Sequence, residues 1–450
     1  MALGNVFMKD TDGNIGSSIV NETEKVCGLL FDISEQPDFW TKGPGVDIAE
    51  NWKDTVVELN SLDDAVKLGI TPYTGETSTE EGEPDSDGAV SKDLLYGIPY
   101  YHINQFFGMA GGSGRLFVMF ADCSSDWNAL IDMQKASGGI INQFGVWTEQ
   151  KIWKKMDPEA QQYSIAIVGD LQSVAEEMAN DYFAPAHIIL SGNSSKVTTD
   201  SGTDDNIVFS EIADAIINAR YVTVLLGQSM DTEVKAMQAS LKSTTPVGVV
   251  GLALGALTRA SVGESIGWVQ NFDLVNYVPS IEMGFGNSKV EDGKIANATS
   301  YSALTKYQLD ELDDKGYMFL RTYEGREGHV YFTKDRTCSD GDYCTIARNR
   351  TINKSRRLVR EALLPYVNSP VKVDPSTGQL SSAQITIYNN LITSVLSAME
   401  TAEEISGIGT VSVPADQNIL VNKKLTFSYK LIPLGCAESI EVTEGLAISR

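Results

Sequence analysis

Histidine is almost missing from this chain: three residues in 450, at positions 102, 187 and 329. None has a cysteine or carboxylate neighbour at ligand spacing, so the usual starting point for a metal site is absent. Basic residues are also scarce. The 35 lysines and arginines face 60 acidic residues, a formal charge of −25. Such an exterior repels phosphate backbones and anionic lipid, which argues against nucleic acid as a partner and against direct membrane insertion. Long apolar runs are lacking too. The longest, at 247–257, falls short of the ~20 residues a membrane helix needs. The opening MALGNVFMKD has no basic stretch followed by an apolar one, so no signal peptide is expected and synthesis is expected in the cytoplasm.

Five cysteines, at 27, 123, 338, 344 and 436, follow no framework, which fits free thiols in a reducing compartment. Cys338 and Cys344 are near each other but lack the further ligands that a structural zinc requires. The glycine-rich segment GMAGGSG at 108–114 matches neither phosphate-cradling pattern, so no cofactor is expected. No repeat with a period of 20–50 residues is present, which excludes solenoids and propellers.

What is present begins with size: 450 residues suit two or three domains, with 42% hydrophobic and 21% charged content typical of globular proteins. Residues 1–20 read as an arm in which Val6, Phe7 and Met8 form a short strand. CGLLF at 27–31 begins the first buried strand, and 56–68 reads as a strand entering a helix with Ser61 as N-cap. The segment 74–90 is acidic, rich in Gly, Ser, Thr and Pro, and expected to be a solvated insertion. An α/β rhythm follows. Helices are expected at 100–109, 127–135, 173–179, 211–219 and 232–241, and strands at 116–120, 165–169, 187–190 and 222–227. Further strands are expected at 276–283, 317–321 and 329–332. Continuously apolar strands between helices predict a layered α/β fold.

From residue 345 the pattern changes to helix, loop, helix and two terminal strands. Leu425, Phe427, Tyr429 and Leu431 alternate with polar residues over 423–432, and Ile440, Val442, Leu446 and Ile448 form a second alternation. Ahead of both, 348–360 holds Arg348, Arg350, Lys354, Arg356, Arg357 and Arg360 with no acid. On a helix, Arg350, Lys354 and Arg357 share one face.

One enzymatic motif competes with a structural reading. GESIG at 263–267 is a formal G-x-S-x-G, and Asp273 or Asp313, then His329, follow Ser265 in the order of a serine hydrolase. The residues before it, 258–262, do not read as the apolar strand that such a turn needs, so a turn serine is the simpler account.

Arg336-Thr337, the arginine-containing helix that follows, Leu431-Ile432-Pro433 and Ala437-Glu438-Ser439-Ile440 together resemble the C-terminal domain of contractile tail sheath proteins. Gly251-Leu252-Ala253 and Gly267-Trp268 match the family more loosely, and its frequent Trp-Gly before the Arg-Thr pair is absent. The resemblance implies a structural protein, not an enzyme, of a phage tail or phage-like injection particle. It implies an arm (1–20), α/β outer domains (21–344) and an α+β inner domain (345–450). Six subunits would form each ring of a helical homopolymer around an inner tube protein, with baseplate and tail terminator proteins at its ends. Val6, Phe7, Met8, Leu425, Phe427, Tyr429, Ile440 and Val442 would lie on strands shared between subunits. The basic face of Arg350, Lys354, Arg357 and Arg360 is expected to meet the tube.

Overall fold

A strand that is apolar on both faces must be covered on both, and the run at 26–31 meets that demand as β1 (Val26–Asp32), buried throughout. The computed structural model describes residues 22–34, 53–73, 92–112, 114–157, 162–198, 204–206, 209, 212–241, 246–284, 290–291, 294–295 and 300–446. The proposed arm with Val6, Phe7 and Met8, and the acidic segment 74–90, lie outside these residues.

After β1 come β2 (Val57–Leu59), α1 (Leu62–Lys67), α2 (Lys92–Ala110), β3 (Arg115–Ala121), α3 (Ala129–Ala136) and β4 (Gln143–Asp157). Ser61 caps α1 as its sequence predicts, its hydroxyl accepting from Asp64 N. Next are β5 (Gln162–Ser164), α4 (Ala166–Asn180), β6 (His187–Thr198), β7 (Asp204–Asn206), β8 (Val222–Leu226) and β9 (Gln228–Ser229). The unit continues with α5 (Thr232–Leu241), α6 (Val250–Arg259), β10 (Ile281–Glu282), β11 (Val290–Glu291), β12 (Lys294–Ile295), α7 (Lys306–Asp314), β13 (Met318–Arg321) and β14 (Tyr331–Phe332).

Ten of the described strands form one sheet in the order β14-β13-β8-β6-β4-β1-β3-β2, with β5 added to β4 and β7 to β6. From β3 to β13 every neighbour on this path is parallel, and the antiparallel β2 and β14 close the edges. Strand alternation assigns the covering layers. Gly28 and its register partner Phe144 face Met133 of α3, whereas Gly145, one residue on, faces Val250 and Leu254 of α6. Helices therefore cover both faces, the layered α/β arrangement that the sequence predicts.

A second unit follows: α8 (Ile346–Leu363), α9 (Ser382–Thr401), β15 (Gly407–Ser412), α10 (Ile419–Asn422) and β16 (Ser428–Ile432). Its core is separate from the sheet's and centres on Tyr388, Ile392, Leu396 and Met399 of α9. Tyr388 stacks edge-on between Tyr366 at 5.6 Å and Phe427 at 5.3 Å, an arrangement aromatic quadrupoles favour.

Several elements differ from the sequence reading. IAIVG at 165–169 starts α4, because Ile167, Val168, Leu171, Val174, Ala175 and Met178 form one helical stripe; a short apolar run by itself does not separate the two periods. The stretch 212–219 is irregular: its backbone bonds leave for other loops, Ala215 N to Lys315 O and both Ile217 N and Ala219 N to Cys338 O. Only Ile281–Glu282 of 276–283 is a strand. The long β4 goes unseen in the sequence because Glu149 and Lys151 interrupt its apolar pattern, yet it pairs with β6 as far as Lys154. Finally, β16 pairs with β15, a strand the sequence reading lacks, and 440–446 is unpaired.

Candidate assembly surface

Helix α8 is held at its start by two acceptors. Thr345 Oγ1 accepts from Arg348 N at 3.3 Å, and the Asp335 carboxylate accepts from Ala347 N at 2.7 Å. Asp335 is buried, and burial raises its pKa. Its other oxygen accepts from Ser265 Oγ at 2.5 Å. His329 pairs instead with Asp273, Nδ1 to Oδ2 at 2.5 Å. No hydrogen bond joins Ser265 to His329, so the residues that would form a hydrolase triad are not assembled; the serine braces the cap of α8.

The basic face of α8 is buried at Arg350 and Lys354 and partly covered at Arg357 and Arg360. Arg350 is 1% exposed, its guanidinium donating to Ala260 O at 3.2 Å and Ser261 O at 3.1 Å just past the C-terminus of α6. That end carries unpaired carbonyls and partial negative charge, which suits a cation. Burial lowers the pKa of Arg350, against the opposing pull of Glu24 and other nearby acids. Lys354, 3% exposed, pairs with Glu404 at 2.7 Å. Arg356 donates to Tyr221 Oη at 2.5 Å, and Arg357 binds Glu24 and Pro185 O. Arg360 lies over the Phe183 ring at 4.3 Å. Of the residues expected to meet a tube, Arg350 and Lys354 are buried and Arg357 and Arg360 are partly exposed; Arg350, Arg356, Arg357 and Arg360 contact the sheet unit, while Lys354 pairs within its own. Arg350 and Lys354 cannot reach another protein without unfolding. The partners Glu24 and Glu404 are remote in sequence, so the basic run by itself does not announce them.

The crevice where a doubly wound sheet often holds a ligand is filled by the chain itself. Strand order reverses around β1, between β3 and β4. At its end, Asp32 accepts from Ser34 N and Oγ, Cys123 N, Thr148 Oγ1 and Gln150 Nε2, at 2.6 to 3.0 Å. A carboxylate so occupied has little capacity left for a ligand.

What stays open is the chain's last described stretch. Beyond β16 the described residues form no further strand; Ile440 is 82% exposed, Val442 81% and Leu446 fully. The pair β15–β16 is a two-stranded sheet on the surface of the second unit, with Leu425, Phe427 and Tyr429 packed partly against that unit's own core. Phe427 and Tyr429 are partly buried within the subunit, whereas Ile440 and Val442 are exposed.

Two family models match the chain: the DUF2586 N-terminal domain over residues 3–336 and the DUF2586 C-terminal domain over 342–449. The chain belongs to the DUF2586 family. No curated protein matches it. Among solved structures, this DUF2586 chain is similar to a chain of the sheath complex of PVC, an extracellular contractile injection system, in its contracted state. There the TM-score is 0.53 at 10% identity, covering 100% of this chain and 98% of that one. It is also similar to a chain of the anti-feeding prophage baseplate (TM-score 0.52, 12% identity, 100% of both chains). A third likeness is to the anti-feeding prophage helical sheath in its contracted state (TM-score 0.51, 12% identity, 99% and 100% covered). At such identities the likeness is one of fold, and the fold of this DUF2586 chain is that of contractile sheath proteins.

Proposed function

We propose that this chain is the repeating subunit of a contractile sheath. The observation that carries the reading is the fold likeness to contracted sheath chains along the entire length of both partners. Two features of the subunit support it. The tail exposes Ile440, Val442 and Leu446, and an exposed segment with Ile440 and Val442 at alternate positions suits strand addition to a neighbour's sheet. Helix α9 has no charged residue from 382 to 399 in a chain of net charge −25, although Ile387, Asn390 and Ser394 face outward. A surface helix without charge suits burial against other subunits.

In this reading residues 1–20 and the terminal strand tie subunits into a mesh, 21–344 form the outer domains, and 345–450 the inner one. Six subunits surround an inner tube in each ring, rings stack helically, and baseplate and terminator proteins bound the particle, which belongs to a virion tail or a related injection device. Contraction is then a collective change of lattice that needs no cofactor. The test is negative-stain microscopy of the purified full chain and of a variant lacking 439–450. Tubes from the full chain, and soluble folded monomers from the truncated one, are the expected outcome. A full chain that stays monomeric at high concentration overturns the proposal.

A further inference from the structure

The tail is not free along its whole length. Pro433 O accepts from Ser406 Oγ at 2.7 Å. Leu434 lies on Gly263, where an added Cβ would come within 2.9 Å of Leu434 Cδ1 and 2.8 Å of Glu404 O. Glu438 then reaches Lys334 Nζ at 3.0 Å, and the same ammonium binds Asp313 at 2.6 Å. Beyond Glu438, none of the hydrogen bonds or ion pairs among the described residues involves 439–446, where Ile440, Val442 and Leu446 are exposed. The anchored root and the bare tip meet at this one ion pair.

We propose that Lys334 and Glu438 form a latch that sets the point and direction from which the tail leaves the body, and so the reach with which a second copy of this chain captures it. The inference rests on the reading that the tail is donated. Its physical basis is effective concentration: a tip that starts at Ser439 from a fixed point searches a smaller volume than one that swings from Gly435, four residues earlier. The latch is also expendable for folding. Glu438 is half-exposed, and without it Lys334 keeps Asp313. A partly exposed ion pair is weak and screened by salt, which lets the root detach when subunits reorient.

The experiment measures the critical concentration for assembly of the full chain, E438A and E438K by sedimentation, at low salt and at ~0.5 M salt, where screening is nearly complete. At low salt E438A should need about two- to fivefold more protein than wild type, the range an exposed ion pair supports. E438K, which places two cations together, should need more still. Both gaps should close at high salt, with thermal unfolding midpoints unchanged. Equal critical concentrations for wild type and E438A at both salts overturn the latch. Deletion of 439–450 separates the two readings. If the deletion abolishes assembly while E438A matches wild type, donation stands and the latch alone falls. If the truncated chain assembles normally, donation fails and the latch with it.

Discussion

Gly251 shows how little room single positions leave. It lies in α6 where that helix crosses α2, and a Cβ there would stand 2.1 Å from His102 O and 2.7 Å from its carbonyl carbon. Gly255, one turn on, would meet Phe106 O at 2.7 Å. Because the obstacles are backbone atoms, no rotamer change relieves them, and the helices must separate. G251A is expected to destabilise the protein by about 3 kcal/mol, the upper part of the range for overpacking a core. Chemical denaturation of G251A checks this, and a midpoint equal to wild type contradicts the geometry. Gly251 is also one of the residues that carries the sheath resemblance, so the motif marks a close helix crossing. Gly263 of the G-x-S-x-G sequence likewise gives way to backbone, at Glu404 O, and to the tail at Leu434.

At the scale of elements, α8 decides how the two units are joined. An 18-residue helix with six cations and one acid, at Glu361, would be expected on a surface; here Ile352 and Val359 are buried on one side, and Arg350 and Lys354 on another. Desolvating charges is tolerable only when each is paired, and removing one partner leaves the other stranded. K354A should therefore cost about 3 to 5 kcal/mol, because Glu404 remains buried without its cation. The double replacement K354M/E404L should recover most of that loss, since an apolar pair needs no compensation. Denaturation of K354A beside wild type, K354M, E404L and K354M/E404L, the last four forming a double-mutant cycle, tests this. A K354A variant as stable as wild type would show that Glu404 finds water, against the burial of both groups.

At the scale of the whole molecule, two histidines make the fold sensitive to acid. His102 and His187 are held neutral by burial, which pushes their pKa down to about 3 from the ordinary 6.5. The tautomer of His187 follows from its partner: Thr223 donates its only proton to Arg336 O, so it accepts from His187 Nε2, and Nδ1 lies without a partner. Between about pH 6.5 and 3 the unfolded chain binds protons at these sites that the native chain does not. Stability therefore rises with pH in that window and is lost as pH falls, by about 1.4 kcal/mol per pH unit for each histidine. Asp335 acts the other way, since burial raises its pKa and the native state then holds a proton the unfolded chain has lost. Burial raises Glu233 as well, so two carboxylates oppose the two histidines, and H187Q, which removes one histidine, should lose less melting temperature than wild type as pH drops from 6.5 to 4.5. A profile that is flat in both proteins contradicts the burial of the imidazoles.

The local pattern by itself determined the elements whose period is unambiguous. The runs at 27–31, 116–120, 187–190 and 222–227 had to be buried strands, Ser61 had to start a helix, and 232–241 had to be one. Those are matters of side-chain spacing and capping, settled within a few residues. The resemblance in 336–440 likewise pointed to the sheath fold before any contact was known. Tertiary structure decided the rest, because the physics there acts between residues far apart in the chain. Whether 165–169 extends or coils depends on which face the sheet offers it, and 212–219 is drawn out of helix by carbonyls of Lys315 and Cys338. The basic run of α8 carries no mark of whether water or carboxylates surround it; only packing brings Glu24 and Glu404 to it. The same holds at the chain's end, where two alternating segments look alike and one finds β15 while the other finds no partner. Alternation specifies a strand's two faces, but the partner that pairs its backbone is chosen by what the fold brings within reach.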